Sequence, residues 1–177
     1  MVAVSGSSWI EIADALEVGR RRGYAFGYNG YIYGVGGFTA TGGGTIIPDI
    51  EFAKVDVSNG SVGAFRTSSV EINQRWGLGM AVSNSFAYVI GGCNIGDSPN
   101  DCTSFEPSLQ TFQLYNNNSV AAESYSDASN LFSSDRIGGS STVLNGKIYV
   151  AGGCTVSALE CGSGSVTSNV SFAPLRS

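Results

Sequence analysis

Along this chain apolar residues gather in short runs or alternate with polar ones, and Gly, Asn and Ser cut each run before it builds a long amphipathic helix. Only residues 14–22 invite a helical reading. Elsewhere the pattern predicts strands in pairs: residues 23–28 with 31–35 about Asn29-Gly30, 78–83 with 86–90 about Asn84-Ser85, and 139–144 with 147–151 about Asn145-Gly146. Asn-Gly accepts the positive φ angles of a two-residue hairpin turn, so each pair is expected to be antiparallel. The second member of each pair is apolar almost throughout, as a strand covered on both faces should be. A third strand is predicted after a longer loop in each case, at residues 51–57, 109–115 and 168–172. Asn59-Gly60 and Asn116-Asn117-Asn118 then turn the chain into fourth strands at 62–67 and 120–125.

The same residues recur around these strands three times without a gap. An arginine is followed nine residues on by Asn, four later by Tyr, and then by a glycine pair: Arg20, Asn29, Tyr33, Gly36-Gly37; Arg75, Asn84, Tyr88, Gly91-Gly92; Arg136, Asn145, Tyr149, Gly152-Gly153. Gly36, Gly91 and Gly152 place the copies 55 and 61 residues apart, the mark of one supersecondary unit used three times. An aromatic residue precedes each arginine by ten or eleven positions: Trp9, Phe65 and Tyr125. An apolar run closing on Gly-Gly, with an aromatic further on, resembles the kelch repeat. Residues 31–37, 86–92 and 148–153 carry that resemblance over nearly the whole chain. Phe65 and Tyr125 stand where the family usually has tryptophan, and the copies exceed its usual length of about 50 residues.

The resemblance implies an all-β fold, a kelch-type β-propeller of four-stranded antiparallel blades. Residues 1–19 would then hold the outer strand of a preceding or partner blade, 20–74 the first blade, 75–135 the second, and 136–177 a third lacking its last strand. Three blades are too few to close, because propellers close with roughly four to eight. Two arrangements stay open: further blades of the same polypeptide, or a homodimer in which two copies make a six-bladed ring and the Trp9 strand completes the other copy's last blade.

Composition narrows the class of partner. With 25 glycines, 11% aromatic and 13% charged residues, the chain suits many short strands and tight turns, and its 42% hydrophobic content supports a buried core. A net charge of -5, with Arg20-Arg21-Arg22 as the sole basic cluster, disfavours nucleic acid and anionic membrane surfaces. No apolar run approaches the roughly 20 residues of a membrane-spanning helix, so no membrane insertion is expected, and no export signal is legible. The four cysteines fall as Cys93 with Cys102 and Cys154 with Cys161, the first of each following a glycine pair. These short intervals suit two local disulfides, each contributing about 2.5 kcal/mol on the chain-entropy account, and disulfides point to an extracellular, secreted or cell-surface setting. A zinc site built from all four would need two repeats to converge and lacks zinc-ribbon spacing.

Antiparallel order sends the fourth-to-first and second-to-third links to one end of every blade. That end is expected to collect Arg20, Arg75 and Arg136, the loops 38–49, 93–108 and 154–167, and both disulfides, and so to be where a ligand binds. Two readings of the arginines stand: a ring of guanidinium groups that receives a carboxylate from an acidic sugar or peptide, or internal ties to carbonyls of neighbouring strands. Asp97, Asn100 and Asp101 offer oxygens for calcium but not in EF-hand spacing, so no metal and no cofactor is expected. Asn59, Asn117 and Asn169 each begin a glycosylation triplet, the first two in turns and the third in a strand.

No histidine occurs, which removes the commonest general base. Neither carboxylate pair on the loop face, Asp49 with Glu51 or Asp97 with Asp101, sits in a setting legible as acid–base chemistry. The expected function is therefore not enzymatic: a recognition module for protein or carbohydrate. Assembly by strand exchange is the alternative. A third, suggested by the kelch resemblance, is part of a sugar-modifying enzyme whose catalytic groups lie outside this chain.

Overall fold

The computed structural model describes residues 9–39, 44–94, 102, 104–115, 120–127, 136–155 and 166–175. Among them, three antiparallel sheets form and no residue is helical. Sheet 1 runs β1 (Tyr24–Tyr28), β2 (Tyr31–Val35), β3 (Asp49–Lys54) and β4 (Arg66–Glu71) side by side in chain order. Sheet 2 repeats this order with β5 (Gly79–Ser83), β6 (Phe86–Ile90), β7 (Leu109–Leu114) and β8 (Val120–Asp127). Sheet 3 holds β9 (Ser140–Leu144), β10 (Lys147–Ala151) and β11 (Val170–Pro174), with β10 in the middle.

Turn chemistry sets the registers. Asn29-Gly30 takes φ of 47° and 78°, and Asn145-Gly146 takes 49° and 68°, so Tyr28 pairs with Tyr31 and Leu144 with Lys147 across two-residue loops. Asn84-Ser85 makes the same turn at 50° and 66°, although Ser85 carries a Cβ into the left-handed region. Its hydroxyl hydrogen-bonds the Tyr28 hydroxyl at 2.7 Å, so the residue that strains the turn also ties sheet 2 to sheet 1.

Strand alternation then assigns the faces. Tyr33, Val35, Ile50 and Phe52 of sheet 1 pack against Met80, Ala87, Val89 and Phe112 of sheet 2 in one core, each buried large side chain contributing about 1.5–3 kcal/mol. On the other face of sheet 2, Tyr88 and Ile90 meet Ile148 and Val150 of sheet 3. In sheets 1 and 2 the repeated tyrosine therefore faces the following sheet. Tyr33 (2% exposed) and Tyr88 (9%) are covered in this way, whereas Tyr149, turned away from sheet 2, is only half-buried. At the two edges, β5 lies against β9 and β4 against β8, so the sheets stand beside one another in the same orientation.

Burial in this core, with help from the neighbouring Tyr31 and Tyr28 phenols, pushes the Tyr33 hydroxyl from 10.0 up to about 12. Because the folded value lies above the unfolded one, its contribution to stability is whole below pH 10 and is lost as pH rises toward about 12. Urea unfolding across that range should show stability falling together with the appearance of phenolate absorbance, and Tyr33→Phe should flatten the fall.

Several boundaries differ from the sequence expectation. The fourth strand of sheet 1 starts at Arg66, not at residue 62, because Asp56 closes a tight turn first: it accepts the Gly60 amide at its carbonyl (2.7 Å) and the Ser58 amide at its carboxylate (2.9 Å). Val62 only bridges to Val55, and Phe65 precedes β4 instead of lying within it. β8 runs on to Asp127 and sets Tyr125 opposite Thr111. β11 starts at Val170, which leaves Asn169 before the strand. Residues 14–22 are not helical, since Asp14 and Arg22 take φ of 51° and 56° and Arg21 bridges to Phe38. Residues 9–19, expected to carry an outer strand, form none within this single chain, and Trp9 stands fully exposed at 101%. No helix among the described residues is long and apolar enough to cross a membrane.

Candidate functional site

Each glycine pair is a hinge between two hydrogen-bonded layers. Gly36-Gly37, Gly91-Gly92 and Gly152-Gly153 take φ of 60° and 103°, 59° and 104°, and 67° and 100°, values that admit glycine and strain other residues. This double left-handed step ends one ladder and begins a second, shorter one. Phe38, Cys93 and Cys154 each bridge the residue after the arginine (Arg21, Trp76, Ile137) on one side and a loop residue (Ile46, Phe105, Val166) on the other. All three are buried, so a cysteine fills in the second and third repeats the slot that the Phe38 ring fills in the first.

The second layer gathers the loops. Phe38, Ile46, Trp76, Cys93 and Cys102 form one apolar cluster, with Phe105 and Ile137 packed against it, so residues of all three repeats meet at the same end. The Arg22 guanidinium lies over the Trp76 ring at 5.0 Å and that of Arg21 over Phe38 at 5.8 Å, extending the layer with cation–π contacts. Cys93 and Cys102 are joined by a disulfide, with Cα atoms 5.7 Å apart. Cys154 is disulfide-bonded as well. Cys161, its expected partner, lies outside the described residues, as do Asp97, Asn100, Asp101 and Asn117.

The three arginines converge on one structural task. Arg20 Nη1 donates to the Gly36 carbonyl (3.0 Å) and the Asp49 carbonyl (3.2 Å); Arg75 Nη1 donates to Gly91 (3.2 Å) and Ser108 (3.0 Å); Arg136 Nη1 donates to Asn169 (3.4 Å). In all three the acceptors include the residue that opens or precedes the third strand, and in the first two also the first glycine of the pair, so each guanidinium ties its loop at the neck. The other arm reaches Glu51 from Arg20, Ser108 Oγ from Arg75 (2.8 Å) and Ser171 Oγ from Arg136 (2.9 Å). Arg75 has no exposed surface, and Arg20 and Arg136 have very little. Of the two readings of Arg20, Arg75 and Arg136, this geometry is that of internal ties: their Nη donors meet carbonyls, the Glu51 carboxylate and serine hydroxyls within the fold.

Around Arg75, Glu106 completes a small polar set. Burial raises its carboxyl pKa, but the Ser108 hydroxyl and amide, the Arg75 charge and the Asn94 amide outweigh that and hold it below its ordinary value. Glu51, considered above as half of a carboxylate pair with Asp49, is fully buried and accepts from the Glu17 amide (2.9 Å), the Val18 amide (3.1 Å) and Arg20. With both oxygens engaged it has no face open to a substrate. Gln110 takes the same place in the second repeat, accepting the Asn73 amide at 2.7 Å. A polar residue directly after an aliphatic one (Ile50-Glu51, Leu109-Gln110, Val170-Ser171) was the available signal, and its changing identity hid it.

Of the glycosylation triplets, Asn59 is exposed in the Asp56 turn, where its side-chain oxygen accepts the Ser61 amide at 2.8 Å. Asn169 is exposed too, while its carbonyl belongs to the Arg136 clamp.

Among protein families no model matches this chain, and no curated protein matches it.

The Cys93–Cys102 bond spans a sequence separation of 9, short enough that its removal acts on the loop and leaves the sheets paired. The double variant Cys93→Ser, Cys102→Ser is expected to lose about 2.5 kcal/mol in urea unfolding, as the closed-loop entropy of the unfolded chain is restored.

Proposed function

We propose that this chain is part of a kelch-type β-propeller acting as an extracellular recognition module, which binds protein or carbohydrate through the end where its long loops emerge. One observation carries the reading: loops from successive repeats rise from a single shared apolar layer, with their necks clamped by Arg20, Arg75 and Arg136. Variable loops on a rigid base are how a scaffold presents recognition groups without losing its fold. The Cys93–Cys102 disulfide adds rigidity and is compatible with an oxidising, extracellular compartment. Ligand contacts then belong to loop side chains, and the arginines set the loops' positions.

A panel of immobilised glycans and extracellular protein domains, probed with the oxidised chain and with the Cys93→Ser, Cys102→Ser variant, tests this. The expected result is a saturable ligand of the oxidised chain that the variant loses while its far-ultraviolet circular dichroism stays unchanged. Absence of binding across the whole panel, or equal binding by the variant, overturns it.

A further inference from the structure

Adjacent sheets are joined by the same backbone hydrogen bonds at both junctions. The Gly37 amide donates to the Arg75 carbonyl (3.1 Å) and the Gly92 amide to the Arg136 carbonyl (3.0 Å). In a second row the Gly77 amide donates to Arg22 (2.9 Å) and the Gly138 amide to Gly77 (2.7 Å). Each row stops at the ends of the three-sheet stack. Among the described residues, the Gly153 amide of sheet 3 has no acceptor, the Gly138 carbonyl has no donor, and the Arg20 carbonyl beside sheet 1 has no donor. The first and last are the two halves of the bond that repeats inside the molecule.

Steric space stops at the same place. A Cβ on Gly36 would lie 2.6 Å from Leu78 Cδ2 and one on Gly91 2.7 Å from the Arg136 carbonyl oxygen, both in the next sheet; on Gly152 the nearest atom is 3.7 Å away, in its own loop. Exposed apolar residues fall at the two ends as well. Trp9, Ile10 and Ile12 precede sheet 1, and Leu144, Val170 and Phe172 belong to sheet 3 with Val166 in the loop that leads to β11, against only Val57 and Tyr115 elsewhere among the described residues. Phe172 (61% exposed) packs beside Tyr149, ring centroids 5.7 Å apart, on the face turned from sheet 2. Among the described residues, β11 also has only β10 beside it, where sheets 1 and 2 carry a fourth strand.

The segment before sheet 1 is already laid out as an entry from another sheet. Val18 donates its amide to Glu51 (3.1 Å) as Asn73 does to Gln110 (2.7 Å), and Leu16 lies over Gly34. Residues 11–16 stand in the same interval before Arg20 that β4 occupies before Arg75.

We propose that sheet 3 of one molecule docks on sheet 1 of a second copy of this chain, and the reverse, so that two chains close a six-sheet ring through two equivalent head-to-tail contacts. In each contact the Gly153 amide donates to the Arg20 carbonyl of the second copy, that copy's sheet 1 covers Tyr149 and Phe172, and its residues 9–16 lie along β11 as the fourth strand. Rings of this kind close with roughly four to eight sheets, and two copies of the three sheets described here supply six. A contact between unlike faces closes on itself when the rotation returns to the start, here after two copies. The inference rests on the propeller reading but not on any ligand.

Sedimentation of the chain, of Trp9→Asp and of Phe172→Asp tests it; both substituted side chains are exposed, so the fold of the single chain is expected to be kept, with circular dichroism as the check. The unaltered chain should sediment at twice its 18.3 kDa and each variant at the single-chain mass. Mixing the two variants should bring back a weaker dimer, because one of its two contacts joins two unaltered faces. A compact single chain at high concentration, an open-ended polymer, a dimer indifferent to both substitutions, or a mixture that stays monomeric each overturns it. Since binding is read by the panel above, loss of this inference leaves the loop-face reading standing.

Discussion

Arg75→Ala is expected to lower folding stability by about 3–5 kcal/mol, the range seen when one member of a buried, hydrogen-bonded charged set is removed. Arg75 donates from Nε to Asn73 (3.1 Å), from Nη1 to the Gly91 and Ser108 carbonyls, and from Nη2 to Ser108 Oγ, and it lies 3.9 Å from Glu106. Truncation leaves those acceptors without a donor where water does not reach, at about 1–3 kcal/mol for each one that stays unsatisfied. Burial lowers the Arg75 pKa to about 10, still far enough above neutrality that Glu106 faces a full positive charge. Lysine does not replace it, because a single ammonium cannot span two carbonyls on opposite sides of a loop neck. Arg136→Ala, on the sheet with no neighbour beyond it among the described residues of the single chain, is expected to cost about half as much in dilute solution, since fewer of its surroundings are enclosed. Urea unfolding of Arg75→Ala, Arg75→Lys and Arg136→Ala decides the matter. A loss under about 1 kcal/mol for Arg75→Ala, the range of an exposed charge, would return the arginine to the surface role that its burial denies it.

Elements whose geometry is fixed within a few residues were legible in the sequence. β2, β6 and β10 begin and end where the pattern places them, because an Asn-led turn with two left-handed residues leaves the following strand one register. β7 and β8 also begin where expected, whereas β3, β4 and β11 start two to four residues away, and for β3 and β4 the cause lies in the connections. The Asp56 turn satisfies its own amides locally, so β4 starts only at Arg66. β3, by contrast, starts at Asp49, before the expected position, because the Arg20 clamp holds Asp49 against Gly36. No local residue pattern encodes a clamp whose acceptors are backbone carbonyls.

The same limit applies to the site. The arginines were visible as a repeat, yet a repeat alone does not tell a ligand ring from a loop clamp; the partners do, and these are carbonyls that any residue could supply. The second ladder beyond each Gly-Gly was hidden because it consists of single bridges, Phe38 to Ile46, Cys93 to Phe105 and Cys154 to Val166, spread over loops of unequal length. One trace of it was present: an apolar residue or a cysteine directly after every glycine pair, in a slot that proves to be buried. Read that way, the cysteines were as much core residues as staples.

Gly91→Ala is the second large effect, expected at about 2–5 kcal/mol, and its counterpart Gly152→Ala separates the two contributions to that figure. Both glycines hold left-handed φ, 59° and 67°, so alanine at either position carries a conformational cost of about 1–2 kcal/mol. At Gly91 a Cβ would also stand 2.7 Å from the Arg136 carbonyl oxygen, which itself accepts the Gly92 amide across the sheet junction. Backbone cannot swing aside as a side chain does, so the sheets must part there, adding about 1–3 kcal/mol of overpacking. At Gly152 the single chain offers open space, and only the conformational cost remains. If two chains close a ring, however, that space is occupied by the Arg20 carbonyl of the second copy, and Gly152→Ala should then behave as Gly91→Ala does. Its effect should therefore grow with protein concentration: small in dilute solution, where the single chain is measured, and large where the unaltered protein pairs. A Gly152→Ala penalty that stays constant over the concentration range in which the unaltered chain changes mass would place some other surface at the contact.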